Sequence, residues 1–225
     1  MRRRNAAAGT DVPEGEAKPI APVSRLEMVR EAARAHFSAQ GYEAASMRDI
    51  AADAGIHIAT LYFYCSTKEQ LLFDVLKESF EQIQDSLRER IAAAGETHAA
   101  RLAAAIALHV KLCAEKSFPT TINRVDIQRL SDEHRAEYIS MRDAYERELR
   151  DLISCGIAAG EFRPVDPKLT AFAIVGIGHT VGYWYRPDGP LTPEQIGAQY
   201  VDLILTSLQR PAAGILESPP RRAVD

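Results

Sequence analysis

The residues with the most chemistry to offer lie between Ser46 and Lys68, and they are hydrogen-bonding and cationic rather than nucleophilic. Thr60 and Tyr64 fall one helical turn apart with Leu61 turned to the core, so one side of a short helix offers a methyl-bearing hydroxyl and phenols. Such groups suit base edges and phosphates. Lys68 opens the next helical run, where its ammonium and the free amides of a helix start can both meet a phosphate. Arg48 is long enough to reach a phosphate or a guanine edge, and Ser46 can cap a helix while lying near the same strand. Ile58 and Ala59 open the short helix and join this contact set. Several roles stay open at this level: Tyr62 as contact or packing residue, Ser46 as cap alone, Arg48 as solvated charge, His57 as contact or helix start.

Catalytic chemistry is thin elsewhere. No Ser-His-Asp set and no carboxylate pair at helical spacing stands out, and Gly176-x-Gly178-x-x-x-Gly182 lies inside a helical pattern rather than after a strand, so it is no dinucleotide fingerprint. His109 and Cys113 stand at i and i+4, but two ligands on one helix without partners do not make a metal site. Cys65, Cys113 and Cys155 are widely spaced and odd in number, which argues against a disulfide framework and for reduced thiols. Cys65, beside the reading residues, suits either a redox switch or a small buried thiol. No cofactor is expected.

A second set of residues suits a small-molecule cavity. Tyr138, Met141 and Tyr145 recur on one helical pattern, and Phe172, Val175, His179 and Tyr183 recur on another at three- or four-residue steps. His109, Cys113 and Asn123 add polar anchors. Facing helices of a bundle build such sites from inward side chains. Arginine, which would suit a nucleotide phosphate, is absent from the second helix before Arg186, so the expected effector is mainly apolar, aromatic or acyl in type.

The elements that must position these groups are helices. Ser24-Arg25-Leu26-Glu27, Ser46-x-x-Asp49 and Thr192-Pro193-Glu194-Gln195 are capping boxes, and Asp166-Pro167 is an N-cap with proline in the first turn. Val29, Ala33 and Phe37 mark a first helix up to Gly41, and two short helices meet at Gly55. A turn that short holds two helices at a steep angle, which lets one enter a groove while the other braces it. Longer helices are expected over 68–94, 97–116, 119–130, 132–159, 166–186 and 192–208. The fold is therefore all-α with about nine helices. Residues 1–22 read as a disordered arm carrying Arg2, Arg3 and Arg4, 23–69 as a DNA-binding helix-turn-helix domain, 70–210 as a ligand-binding and dimerisation domain, and 211–225 as a disordered tail.

The chain has 225 residues, 46% of them apolar, enough for one sizeable core and a satellite. No apolar run is long enough to span a membrane and no leader is evident, so a cytoplasmic site without membrane contact is expected. The net charge of −4 gives no support to nucleic-acid binding, so any DNA contact must come from local charge placement. An all-α small-molecule-binding module without specific DNA binding is the alternative.

The stretch Val29 to Leu72, with Ala32-Ala33, Phe37, Gly41-Tyr42, Asp49-Ile50-Ala51, Ala54-Gly55, Thr60-Leu61-Tyr62 and Lys68-Glu69, resembles the N-terminal domain of the TetR family of transcriptional regulators. The resemblance implies a homodimer on a palindromic operator, usually a repressor released by a small-molecule effector. The family often has serine where His57 stands, histidine at Tyr64 and phenylalanine at Cys65, so base preference does not carry over. Gly156 to Pro167 and Tyr183 to Thr192 look like the C-terminal domain of a branch regulating fatty-acid and sterol breakdown, several members of which respond to acyl-CoA thioesters. Dimerisation is expected through the eighth and ninth predicted helices, with Gly176, Gly178 and Gly182 thinning the eighth and Ile196, Tyr200, Leu203, Ile204 and Leu208 striping the ninth.

Overall fold

The computed structural model describes residues 24–115 and 127–209. These form eight helices: α1 (Arg25–Ala44), α2 (Met47–Asp53), α3 (Ile58–Tyr64), α4 (Lys68–Ala93), α5 (His98–Ala114), α6 (Asp132–Ala158), α7 (Pro167–Trp184) and α8 (Pro193–Leu208). Most of the helix expected over 119–130, with Asn123, and both terminal arms lie outside the described residues. The described part is all-α, as the sequence patterns require.

Side-chain caps set where these helices begin. Ser24, Ser46, Thr67, Thr97, Ser131, Asp166 and Thr192 each accept a bond from an amide of the first turn, satisfying donors with no intrahelical partner. Thr192 and Gln195 close both halves of a capping box. Only α3, which starts after His57, has no side-chain cap. Within α1 the helical path breaks at Gly41, whose φ of 77° is a left-handed conformation that a β-carbon disfavours. Gly55, at φ 67°, makes the turn between α2 and α3.

Helices α1 to α3 form the head. Val29, Ala33, Phe37, Ile50, Ala51 and Leu61 are buried there beside Leu71 and Leu72 of α4. His36 bonds Asp53 at 2.6 Å and ties α1 to α2. Glu78 of α4 receives Arg30 at 3.2 Å and Arg34 at 3.1 Å, fastening α1 along α4. In the body α5 is central, packing against α4, α6, α7 and α8. Its inward residues Leu102, Ala105, Ile106, His109, Val110 and Cys113 are nearly inaccessible. No helix among the described residues is long and apolar enough to cross a membrane.

The glycine-rich α7 does not use its glycines on one common side. A β-carbon on Gly178 would lie 2.3 Å from the His109 ring, so this glycine makes room for α5 of the same chain, whereas one on Gly176 would meet nothing within 4 Å among the described residues. They are two residues apart, and two residues on a helix point to nearly opposite sides. The stripe expected to serve dimerisation on α8 is likewise mostly internal: Ile196, Ile204 and Leu208 are buried, leaving Leu203 exposed and Tyr200 half-buried.

Candidate nucleic-acid interface and effector cavity

At the reading end, α2 is buried through Ile50 and Ala51, and α3 is anchored by Leu61, which has no accessible surface. With Leu61 fixed inward, the opposite face of α3 comprises Ala59, Tyr62 and Phe63, which follow i, i+3, i+4 spacing and are all exposed. Tyr62 is 52% exposed, which settles it as a surface residue rather than a packing one. Thr60 and Tyr64, the pair expected to lead the contact, are only half-buried flanks of this face, and Ile58 packs partly into the core. Phe63 is 86% exposed and was missed by sequence reasoning. The available signal was its place two residues beyond Leu61, on the opposite side of the helix.

His57 precedes α3 exposed and makes no cap bond, so its imidazole is not committed to starting the helix. Arg48 is exposed, and Ser46 Oγ accepts from the Arg48 amide at 3.2 Å. The Lys68 ammonium is held within the head, donating to the Glu43 carbonyl at 3.1 Å and lying 4.5 Å from the centroid of the Tyr42 ring. Cys65 is buried, donates weakly to the Leu61 carbonyl, and is pushed up to about 11 by desolvation and by the nearby Asp74 charge. At 4% exposure, and with its thiolate disfavoured, Cys65 fits the small buried thiol better than the redox switch.

The body contains a cavity of about 270 Å³ between α4, α6 and α7, walled by Phe80, Ile139, Tyr145, Phe172 and Val175 with Arg142, Asp143, Glu146 and His179. Of the residues expected there, Tyr145, Phe172, Val175 and His179 line it. Tyr138 instead is buried edge-on against Phe80, ring centroids 5.3 Å apart, and Met141 packs partly on the core. Tyr183 is 89% exposed and does not line it: it keeps to the side of α7 that carries Phe172 and His179 but lies a turn further along, at the end of the helix. Asn123 is outside the described residues. Arg142, Asp143 and Glu146 were overlooked: the cation sought on α7 comes from α6, three residues before Tyr145. A second, more open groove of about 450 Å³ lies between α4, α5 and α6 and includes Ile91, Leu152 and Cys155.

His109 and Cys113 stand behind the cavity wall rather than in it. His109 Nε2 is 3.3 Å from the Val175 carbonyl, which only accepts, so that nitrogen carries the proton and Nδ1 accepts from the Tyr145 hydroxyl at 2.9 Å. Desolvation lowers the His109 pKa to about 4 and keeps the ring neutral. Cys113 is raised by burial to about 12. Tyr145 is raised further still, again by desolvation. Among the described residues no cluster of three or more His, Cys, Asp or Glu side chains could hold a metal ion.

The head and the cavity share two helices. Glu69, in the first turn of α4, accepts from the Ser131 amide at 2.9 Å and from His134 Nδ1 at 2.8 Å at the start of α6. His134 also stacks on Phe73, with centroids 4.1 Å apart and planes at 6°. Arg129 pairs with Glu43 at 2.8 Å and Lys77 with Glu137 at 2.8 Å. Thus α6 carries one cavity wall at Ile139 to Glu146 and, two turns earlier, the attachment to the base of the head.

Comparison with known proteins finds a match at each end of the chain. Residues 29–75 match the family described as bacterial regulatory proteins, tetR family. Residues 95–208, just over half of the chain, match the tetracyclin repressor-like C-terminal domain. The HTH-type transcriptional repressor KstR2 of Mycolicibacterium smegmatis is 28% identical over 196 residues, covering 83% of this chain and 92% of its own. The solved complex of AibR with isovaleryl coenzyme A and operator DNA superposes with a TM-score of 0.70 at 28% identity, covering 80% of this chain and 96% of that one. The ketosteroid transcriptional regulator KstR2 of Mycobacterium tuberculosis gives a TM-score of 0.70 at 28% identity, over 83% and 95% of the two chains. A short-turn helix pair with an exposed reading face, set on a helical body with a partly enclosed cavity and matched at both ends, makes this chain a member of the tetR family of bacterial regulatory proteins.

Proposed function

We propose that this chain is a ligand-responsive transcriptional repressor that binds a palindromic DNA operator as a homodimer and is released by a mainly apolar small molecule of acyl or acyl-CoA type. It acts by binding rather than by catalysis, and it works in the cytoplasm. The observation that carries the reading is α6, which joins the cavity wall at Tyr145 to the base of the head at His134 and Glu69. A ligand that changes the preferred position of α6 must then change the head, and by linkage operator DNA must change ligand affinity by the same factor. The names of the relatives support it: KstR2 is a transcriptional repressor, and AibR was solved with an acyl-CoA and operator DNA.

In this reading Ala59, Tyr62 and Phe63 meet base edges, Thr60, Tyr64 and His57 flank them, and Ser46, Arg48 and Lys68 meet phosphates. Ile58 positions the helix from below. Phe80, Ile139, Phe172 and Val175 hold the apolar part of the effector, and Arg142 and His179 stand where its polar part emerges. A mobility-shift assay with the protein's own upstream DNA tests the regulator reading. Specific binding that weakens steeply with salt supports it, and its absence leaves the small-molecule-binding module without DNA specificity.

A further inference from the structure

We propose that the groove between the end of α4, the start of α5 and the second half of α6 is a further ligand site, separate from the effector cavity, and that it takes a small molecule with an apolar body and a carboxylate head. The inference stands apart from the regulator reading above, since it needs neither DNA nor a second copy of the chain.

The groove, of about 450 Å³, is walled by Ile91 and Ala92 of α4, His98 and Arg101 of α5, and Leu152 and Cys155 of α6. Ile91 and Leu152 are half-buried and pack against the core, so the surface they offer is apolar. Apolar walls with a few placed polar groups are what a small-molecule site consists of. It is not an extension of the effector cavity, with which it shares no lining residue. On α4 the cavity is lined at Phe80 and the groove begins at Arg88, about two turns on, with Ile83 and Leu87 buried between them.

The charges around the groove select the head group. Arg88 is taken by Glu148 at 3.1 Å, and His98 Nδ1 lies 2.8 Å from Glu161, which also accepts from the Ala99 amide at 2.9 Å. Arg101 differs from both. Half-buried in the groove wall, it donates through Nε to the Gly95 carbonyl at 3.0 Å, and among the described residues its guanidinium pairs with no carboxylate. That single bond anchors the fork and leaves the edge between its two terminal nitrogens for a partner. A carboxylate meets such an edge with two parallel hydrogen bonds.

The head carries one negative charge rather than two. Asp151 also lines the groove and pairs with no cation among the described residues, so each further negative charge on the ligand meets repulsion from it. A monoanionic carboxylate on Arg101, with its apolar body laid along Ile91 and Leu152, answers both the unmatched cation and the apolar walls. Cys155 is exposed and lines the same groove, so its thiol reports occupancy without taking part in binding, while Cys65 and Cys113 are buried elsewhere.

The test follows alkylation of Cys155 by iodoacetamide in the folded, full-length chain by mass spectrometry, with 4-phenylbutyrate as the probe and 4-phenylbutyramide as its neutral counterpart. The quantity read is the ratio of rates without and with probe, taken within each variant. A probe lodged in the effector cavity leaves Cys155 uncovered, because Cys155 is not on that wall. The expected result is that 4-phenylbutyrate slows the reaction and that the amide needs a roughly tenfold higher concentration to do the same. Arg101→Gln abolishes the difference between the two probes, and Asp151→Asn lowers the concentration of acid required by roughly two- to threefold. Failure of both probes to protect, equal protection by acid and amide, or an Arg101→Gln variant that still prefers the acid overturns the inference. So does weaker protection in Asp151→Asn, which points to a ligand carrying a cation, and so does a Cys155 that is slow before any probe is added, which shows the groove already covered. If Arg101→Gln does not fold, Arg101→Lys takes its place: it keeps the charge, loses the fork and is expected to lose most of the preference for the acid, and an undiminished preference overturns the assignment to Arg101.

Discussion

Gly178→Ala is the most sharply defined perturbation of the body. The added β-carbon would lie 2.3 Å from both Cδ2 and Nε2 of His109 and 3.2 Å from Cys113 Sγ, so the ring has to move by about an ångström. It is not free to do so: His109 is fully buried, with Nδ1 2.9 Å from the Tyr145 hydroxyl and Nε2 3.3 Å from the Val175 carbonyl. Shifting it breaks one of these bonds, costing about 1–3 kcal/mol for a buried group left unpaired. Overpacking costs about 1–3 kcal/mol more. Alanine returns about 1 kcal/mol of helix propensity. The net destabilisation is about 3 kcal/mol, which for a chain of this size lowers Tm by about 6–12 °C. Urea and thermal unfolding followed by circular dichroism measure it. His109→Ala in the same background removes the obstacle, so Gly178→Ala then costs close to nothing, and the double-mutant cycle shows a coupling of about the same 3 kcal/mol. Equal costs of Gly178→Ala in both backgrounds, or an unchanged Tm, would refute the idea that glycine is there for the ring.

Four further outcomes are expected. Phe63→Ala leaves Tm within a degree or two, because the side chain is 86% exposed. It weakens operator binding roughly tenfold, about the low end of one base contact. Fluorescence anisotropy on labelled operator decides it, and unchanged affinity removes Phe63 from the reading face. Glu69→Gln weakens the charge-assisted attachment to Ser131 and His134, so hydrogen exchange at the Ser131 amide speeds by roughly tenfold. Exchange as slow as in the parent shows that the attachment carries no strain. In a labelling experiment with iodoacetamide at pH 8, Cys155, exposed, reacts first, while Cys65 and Cys113, raised to about 11 and about 12, wait for unfolding. Early modification of Cys65 would revive a redox role. His109 has its pKa lowered from 6.5 to about 4, so below pH 6.5 the unfolded chain takes up a proton the folded chain refuses. Its contribution is intact above pH 6.5 and declines as pH falls to about 4, where it levels off. His109→Gln removes this part of the acid limb of a stability–pH curve, and an identical curve for the variant shows that the ring is not held neutral.

Local signals gave the elements. Ser24, Ser46, Asp166 and Thr192 mark helix starts by side-chain chemistry that acts within three residues, and the structure places caps at each. The head was readable for the same reason, since its motif is short and gap-free. What stayed hidden depends on partners distant in sequence. Gly176 and Gly178 look equivalent in the chain, and only the arrival of His109 from α5, 69 residues earlier, separates them. Arg142 reads as one more charge on a polar stretch until α6 turns it to the cavity beside His179. The stripe on α8 shows how apolar periodicity reports burial without saying what does the burying: it covers α5 of the same chain more than it awaits another.

The bonds spaced along α4 make it a lever. Near its far end Arg88 is held to Glu148 of the body at 3.1 Å, while Glu78, halfway along, is grasped by both Arg30 and Arg34 of the head. From Arg88 to Lys68 is 20 residues of continuous helix, about 30 Å at 1.5 Å per residue. A tilt of about 5° about the Arg88 end therefore carries the base of the head sideways by about 2.6 Å, and two heads swinging in opposite senses change their separation by about 5 Å. Half-sites on DNA repeat at about 34 Å and do not stretch to follow. A disturbance at the cavity too small to unfold anything is thus enough to put the two reading faces out of step with their groove.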